Sequence, residues 1–205
     1  MYRLTAKALA KRFGSRKVFS DISFEVGSGE VLAIVGPNGS GKSTLLMTLL
    51  GEYRPSKGEV IFSNDGSPLE EASVQATTSL VSPYLNLYDS LTAEENLVFF
   101  ASVAGASVTG KTINGLLSRV GLEGRGADLV RAYSSGMKQR LKYALALMNG
   151  PEFLLLDEPT SNLDDQGKAI VYEIIEEYAG RAVVVIATNE SEEQRFASQF
   201  CRLGG

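Results

Sequence analysis

Three short, uninterrupted apolar runs dominate the hydrophobic pattern of the chain. The runs are Val31–Val35, Phe153–Leu156 and Ala182–Ala187. Each has the length of a strand, and an unbroken apolar run of this length is typical of a strand buried on both faces of a sheet. Helical patterns lie between these runs, so the sequence predicts an α/β fold with a mainly parallel sheet.

The stretch from about residue 91 to residue 149 has a helical pattern and predicts a helical subdomain over about 84–150. Thr92, with Glu95 three positions later, has the spacing of a capping box that opens a helix. Residues 2–35 are typical of strands broken by turns. We expect residues 1–205 to form one domain. The predicted helices cover about 42–50, 92–104, 112–120, 135–149, 165–178 and 191–198.

Composition limits the function classes. The 205 residues are 44% hydrophobic and 21% charged, as in an ordinary globular protein, and the formal net charge is -4. A nucleic-acid partner is not expected, because such binders usually carry a basic excess. No apolar run approaches the length of a membrane span, and the only cysteine, Cys201, suits a reducing compartment. The expected location is therefore cytoplasmic.

A glycine-rich motif directly follows the first apolar run. Its residues are Gly36, Pro37, Asn38, Gly39, Ser40, Gly41, Lys42, Ser43 and Thr44. This is the phosphate-binding P-loop pattern, in which glycines turn main-chain N–H groups towards an anion and a helix N-terminus adds its dipole. Lys42 is predicted to reach the β- and γ-phosphates, and the Ser43 hydroxyl to ligate Mg²⁺. The motif indicates a nucleoside triphosphate as ligand.

Two acids end the second apolar run. A buried strand would deliver Asp157 and Glu158 to the carboxyl end of the sheet, where α/β proteins bind ligands. Alone, such a pair is often only a helix cap. With the P-loop upstream, Asp157 is the candidate Mg²⁺ ligand beside Ser43, and Glu158 is the candidate general base for the attacking water.

A third motif, Tyr133–Arg140, opens the helix before that strand. With it the chain resembles the nucleotide-binding subunit of an ATP-binding cassette (ABC) transporter. Tyr133–Met137 is similar to the family's signature, and Ser161–Asp164 resembles its D-loop. Phe13 lies where the family has its adenine-stacking aromatic residue. A P-loop kinase or GTPase would lack the signature.

The resemblance implies a P-loop NTPase core with an N-terminal antiparallel β-subdomain and the helical subdomain. It also implies that two copies, or this chain and a related ATPase subunit, close head to tail on two ATP molecules with Mg²⁺. Ser134, Ser135 and Gly136 of one subunit would cap the ATP held by the other. Transmembrane permease subunits would be the partners, on the inner face of the cell membrane. The short chain is similar to compact haem-exporter ATPases.

The chain departs from the family pattern at two phosphate sensors. No glutamine occurs between Gln75 and Gln139, so the family's glutamine after the next strand is missing, and Ser82 is the nearest hydroxyl candidate. Asn189 stands where the family has a histidine, and an amide donates a hydrogen bond but carries no charge. Lys42, Glu158 and Asn189 are the candidate catalytic residues, with slow hydrolysis expected.

Three alternatives remain open from the sequence. The altered sensors are also compatible with an ATP-gated interaction module that dimerises with little or no hydrolysis, or with a fully active branch that uses other sensors. A DNA-repair type of ABC ATPase would need long coiled-coil insertions or a basic surface, and neither is visible. Tyr84, Leu87 and Tyr88 are predicted to form an apolar surface for a partner helix.

Overall fold

Two β-sheets and the helices that cover them make up residues 1–204, the part of the chain that the computed structural model describes. The strands are β1 Tyr2–Phe13, β2 Arg16–Gly27, β3 Val31–Val35, β4 Lys57–Asn64, β5 Ser67–Pro68, β6 Thr78–Val81, β7 Phe153–Asp157, β8 Val183–Thr188 and β9 Gln199–Arg202. The α-helices are α1 Lys42–Leu49, α2 Glu71–Thr77, α3 Ala93–Val103, α4 Gly110–Arg119, α5 Ser135–Leu147, α6 Asp165–Ala179 and α7 Ser191–Gln194.

The larger sheet is parallel, with the strand order β6-β7-β8-β3-β9. The three apolar runs of the sequence are its central strands β7, β8 and β3, which confirms the prediction of a buried parallel sheet. Strand β9 was not predicted, because an edge strand is buried on fewer sides and Gln199–Arg202 has no continuous apolar run. Strand β9 pairs with β3, and Leu203, which follows β9, lies next to Gly36 of the P-loop.

The smaller sheet is antiparallel, in the order β2-β1-β4-β5. Strands β1 and β2 form a hairpin in which Phe13 pairs with Arg16, and Gly14 in the turn has a φ of 58°. Glycine suits this turn because it adopts positive φ without steric cost. The predicted N-terminal antiparallel β-subdomain is confirmed.

The core lies on both faces of the parallel sheet, since side chains alternate along each strand. Leu154 and Leu156 of β7 point into the cluster formed with α3, α4, α5 and α6. Phe153 and Leu155 point the other way, into the cluster formed with α1 and the antiparallel sheet. This layering holds the ends of β3, β7 and β8 at one rigid edge.

The helices largely follow the predicted pattern. Thr92 caps α3 through the expected capping box with Glu95. Helix α7 ends at Gln194, four residues before the predicted end at Ser198. Helix α2 was not predicted, because it has no buried residue and therefore no amphipathic pattern. No helix within residues 1–204 is long and apolar enough to cross a membrane.

Candidate active site

The P-loop connects β3 to α1 and exposes the N-terminus of that helix. Gly41, with a φ of 102°, is the N-cap residue, and no side chain caps the first turn of α1. The first N–H groups of the helix are therefore available to an anion. Lys42 is only 5% exposed, and its ammonium donates to the carbonyl oxygens of Gly36 at 2.9 Å and Pro37 at 3.2 Å. The Lys42 ammonium thus lies along the loop that would bind the phosphates.

Two glycines of the loop have no room for a side chain. A Cβ at Gly36 would lie 2.5 Å from the carbonyl oxygen of Leu203, and a Cβ at Gly41 would lie 2.5 Å from Cγ1 of Val18. Val18 of strand β2 and Leu203, which follows β9, therefore contact the P-loop from two sides. These contacts explain why the motif needs glycine at both positions.

Asp157 lies at the end of β7, beside the P-loop helix. The Ser43 hydroxyl donates a 3.0 Å hydrogen bond to its Oδ1 atom, and the side chain of Asp157 is almost fully buried. The other oxygen, Oδ2, is buried and has no hydrogen-bond partner. Burial raises the pKa of the Asp157 carboxyl, and the Ser43 hydrogen bond opposes that rise. A buried, partly unpartnered carboxylate next to a hydroxyl fits the oxygen ligands that Mg²⁺ prefers.

Glu158 has a strained backbone at the edge of the sheet. Its φ of 48° lies in the left-handed region, which is uncommon for residues other than glycine, asparagine and aspartate. Its N–H donates to the carbonyl oxygen of Ala187 at 2.9 Å, which ties the turn to β8. Such strain persists only where the surroundings impose it and is frequent at functional sites.

Asn189 lies between the P-loop and Glu158. It is exposed, directly after β8. It borders a cleft of about 290 Å³ that Glu158 also lines, and a second cleft of about 530 Å³ that Gly36 and Pro37 line. The position predicted for a phosphate sensor is therefore adjacent to the candidate base and to the start of the P-loop.

Glu193, on α7, is a buried acid that the sequence analysis did not predict. Its Oε1 atom accepts hydrogen bonds from the main-chain N–H and the hydroxyl of Thr160, in the loop after Glu158. Burial raises the pKa of Glu193, and the hydrogen bonds from Thr160 oppose that rise. Glu190 and Glu192 lie beside it in the sequence, so no spacing distinguished the buried acid from its exposed neighbours.

The signature residues begin α5, as predicted. Ser134 caps the helix by accepting a 3.2 Å hydrogen bond from the N–H of Met137, and both Ser134 and Ser135 are exposed. A Cβ at Gly136 would lie 3.1 Å from the carbonyl oxygen of Asn162. The signature and the D-loop of one chain are therefore in contact, and the serines face outward.

The segment after β6 contains Ser82, the hydroxyl that was considered from the sequence in place of the missing glutamine. Ser82 is fully buried beside Asp157, because β6 pairs with β7, and its hydroxyl accepts a hydrogen bond from the N–H of Tyr84 at 3.2 Å. Lys142 of α5 donates to the carbonyl oxygens of Ser82 and Pro83. The sequence analysis did not predict Lys142, because it lies within a helix whose pattern indicated only packing.

Phe13 is 48% exposed at the tip of the β1–β2 hairpin. Its ring packs edge to face on Tyr53 at 5.6 Å, and the Lys11 ammonium lies 4.8 Å from the centre of the Phe13 ring. The structure thus presents an open aromatic surface on the hairpin that also contacts Gly41 through Val18. Tyr53 was not predicted as part of it.

Comparison with known proteins agrees with this geometry. The family model described as ABC transporter matches residues 19–161. The Nod factor export ATP-binding protein I of Bradyrhizobium diazoefficiens is 33% identical over 199 residues, which are 94% of this chain and 64% of that protein. The chain therefore spans less than two thirds of this relative's length.

Two further proteins extend the comparison. The lantibiotic transport ATP-binding protein SrtF of Streptococcus pyogenes is 33% identical, over 91% of this chain and 79% of that protein. A solved dimer of an ATP-binding cassette, in a post-hydrolysis state with ADP and phosphate, superposes with a TM-score of 0.83 at 26% identity, covering 98% of this chain and 94% of that one. The chain belongs to the ABC transporter family.

Proposed function

We propose that the chain is the ATP-binding and ATP-hydrolysing subunit of an ABC transporter, and that two such subunits close head to tail on ATP to power transport. The observation that carries the proposal is the Ser43–Asp157 hydrogen bond beneath the uncapped N-terminus of α1. It joins a phosphate-binding surface to a cation ligand in one rigid edge of the sheet. The solved cassette with ADP and phosphate is dimeric, which supports the two-subunit form.

Each residue of the site has a separate role in binding or hydrolysis. N–H groups of the P-loop and Lys42 bind the phosphates. Ser43 and Asp157 would hold Mg²⁺, which neutralises charge that develops on the phosphates. Glu158 accepts the proton of the attacking water, because its carboxylate is the nearest acid after the strand end. Asn189, which borders both clefts, donates an amide hydrogen bond to a phosphate oxygen.

The second subunit completes the site. Ser134 and Gly136 at the start of α5 are the groups that would contact the ATP held by the partner copy, since a helix N-terminus attracts an anion. The outward exposure of Ser134 and Ser135 supports this arrangement, because neither serine is used inside its own chain beyond the cap. Phe13 would stack on the adenine base, and Tyr53 packs edge to face against the Phe13 ring.

Hydrolysis is proposed to be slow. The chain retains Lys42, Asp157 and Glu158, but Asn189 replaces a charged donor with a neutral one. Loss of one transition-state donor costs about 2.7–4 kcal/mol, or about 10²–10³ in rate, in the best-studied oxyanion site. Single-turnover hydrolysis by the purified chain measures this rate directly.

A membrane partner is proposed to dock on an exposed aromatic surface, formed by Tyr84, Tyr88, Phe99 and Phe100. Tyr84 is 72% exposed, and the rings of Tyr88 and Phe99 pack edge to face at 4.7 Å. Leu87, predicted to belong to this surface, is instead partly buried against the core. Large exposed aromatic groups of this kind mark interaction sites. The proposed place of the chain is therefore the cytoplasmic side of the membrane.

The names of the reported relatives concern Nod factor export and lantibiotic transport. The likeness to compact haem-exporter ATPases remains a prediction. The permease and its cargo are best identified by copurification from the native membrane, with Tyr84→Asp as the variant expected to lose the partner. A Lys111→Asp variant, altered on the exposed face of α4, is the matched control.

The basic test of the function is ATP binding and turnover by the purified chain with Mg²⁺. Lys42→Ala should lose binding, whereas Glu158→Gln should keep binding and lose turnover. The altered sensors favour one second candidate, a module that dimerises on ATP without hydrolysis. Dimerisation of the wild-type chain with no single-turnover hydrolysis would select that candidate.

A further inference from the structure

Lys142 is a buried cation at the centre of α5. The residue is 8% exposed, and its ammonium donates to the carbonyl oxygens of Ser82 at 3.0 Å and Pro83 at 2.9 Å. Both acceptors are main-chain carbonyls rather than carboxylates. Because burying a charge is costly unless hydrogen bonds replace its water, the lysine is held firmly to this segment.

The segment that Lys142 holds leads directly to the cation ligand. Ser82 follows β6 and is fully buried, and the pairing of Val81 with Leu156 places it beside Asp157. Asp157 in turn accepts from Ser43 of the P-loop helix. Asp157 is therefore hydrogen-bonded to helix α1 on one side, and on the other side it lies beside the Ser82 segment that Lys142 joins to α5.

The other end of the same segment is also bound to α5. Lys138 lies one helical turn before Lys142, and its ammonium pairs with Asp89 at 2.7 Å. Two lysines on one face of α5 thus hold both ends of residues 82–89. Lys138 and Asp89 are partly exposed, so their ion pair is worth little, and the buried contacts of Lys142 dominate.

We propose that Lys142 is a positioning residue for ATP hydrolysis. It fastens the Ser82–Pro83 segment, beside Asp157, to the helix that begins with Ser134, so that these groups move as one unit when ATP is bound. The inference rests on the proposed function, in which Ser134 reaches the ATP of the partner copy. In the closed dimer, Lys142 would therefore couple the position of Asp157 in its own site to the position of Ser134 at the γ-phosphate of the opposite site.

The test compares Lys142→Met, which keeps an apolar stem but removes the donors, with Lys111→Met on the exposed face of α4. ATP affinity is measured by calorimetry and kcat by steady-state ATP hydrolysis with Mg²⁺. We expect Lys142→Met to change Kd by less than about threefold and to lower kcat by up to about 100-fold, as a displacement of about 1 Å can do. Lys142→Arg, which keeps donors, should recover part of that loss, and Lys111→Met should match the wild type.

A double-mutant cycle with Ser82→Ala tests the route. If Lys142 acts through Ser82, Lys142→Met costs much less kcat in the Ser82→Ala background than in the wild-type background. Equal losses in both backgrounds, or a wild-type kcat in Lys142→Met, overturn the inference. Should Lys142→Met not fold, Lys142→Gln, which shortens the side chain and removes the ammonium, is carried through the same cycle with the same criteria. A wild-type chain that binds no ATP would reject the proposed function itself, whereas ATP binding with an unchanged variant kcat rejects only the role of Lys142.

Discussion

The Ser43 hydroxyl donates a 3.0 Å hydrogen bond to the carboxylate of Asp157, 114 positions further along the chain. The contact joins the first turn of α1 to the end of β7. One carboxylate oxygen is satisfied by this bond, and the other is buried without a partner. The pair therefore presents a hydroxyl and a carboxylate, the kind of oxygen ligands that Mg²⁺ prefers.

Asp157→Asn should abolish most of the stabilisation that Mg²⁺ adds to the ATP-bound chain. The amide can still accept from Ser43 but has no charge to offer a cation. A ligand at 100 times its Kd stabilises by about 2.7 kcal/mol, which is about 5–10 °C in Tm for a chain of this size. Thermal melting with ATP, in Mg²⁺ and in EDTA, measures the difference.

The control for this experiment is Asp165→Asn, in the exposed first turn of α6. It should keep the full Mg²⁺-dependent gain in Tm. A gain in Asp157→Asn equal to that of the control would mean that Asp157 does not ligate the cation. Without nucleotide, Asp157→Asn should melt no lower than the wild type, because burial disfavours the charged carboxylate.

Gly41→Ala and Gly39→Ala should differ in stability although both glycines have positive φ. The Gly39→Ala change meets no atom within 4 Å at its φ of 81°, so only backbone strain of about 1–2 kcal/mol is expected. At Gly41 the new Cβ also meets Val18 at 2.5 Å, and such overpacking adds about 1–3 kcal/mol. Urea unfolding compares the two variants. Equal losses would show that β2 moves away from the P-loop without cost.

Glu193→Gln should change the pH dependence of stability. Burial raises the pKa of Glu193 above its unfolded value, so between these two values the folded chain holds a proton that the unfolded chain has released. The stability contributed by Glu193 therefore falls as pH rises through that interval and stays low above it. Glutamine does not titrate, so the stability of the variant relative to the wild type should increase as pH rises from about 4.

Urea unfolding from about pH 4 to pH 8 measures this difference, with Glu176→Gln on the exposed face of α6 as the control. The control should differ from the wild type by a constant small amount. If the difference in unfolding free energy between Glu193→Gln and the wild type is also independent of pH, Glu193 titrates at its unfolded pKa. Its hydrogen bonds with Thr160 would then not be linked to a shifted pKa.

Asn189→His should raise the single-turnover rate if the neutral amide is the reason for slow hydrolysis. The added donor should recover at least about tenfold of the about 10²–10³ that one transition-state donor can supply. Asn189→Ala, which removes the amide, should lower the rate further. A histidine variant no faster than the wild type would show that Asn189 already serves the site as well as a histidine does.

The sequence predicted the parts of the site that lie in continuous motifs. The P-loop follows an unbroken apolar strand, and Asp157 ends another, so local pattern alone placed Ser43 and Asp157 at one edge of the sheet. The starts of α3 and α5 could also be predicted from local sequence, because Thr92 and Ser134 cap their own helices. These predictions needed no knowledge of distant contacts.

The residues that sequence reasoning missed act through contacts distant along the chain. Lys142 binds carbonyls 59 and 60 positions away, and Glu193 binds Thr160 33 positions away. A lysine in an ordinary helix, or one glutamate among three, gives no local sign of burial. Strand β9 was missed for a similar reason, since only its pairing with β3 makes Gln199–Arg202 a strand.

In the proposed closed dimer, ATP is held by the P-loop of one copy and capped by Ser134 of a second copy. Sedimentation of Glu158→Gln with saturating ATP and Mg²⁺ tests it most directly, because ATP is bound there but not consumed. We expect a dimer that reverts to monomer when ATP is removed or when Ser134→Arg is added. A Glu158→Gln chain that binds ATP yet stays monomeric, even with its membrane partner, would contradict it.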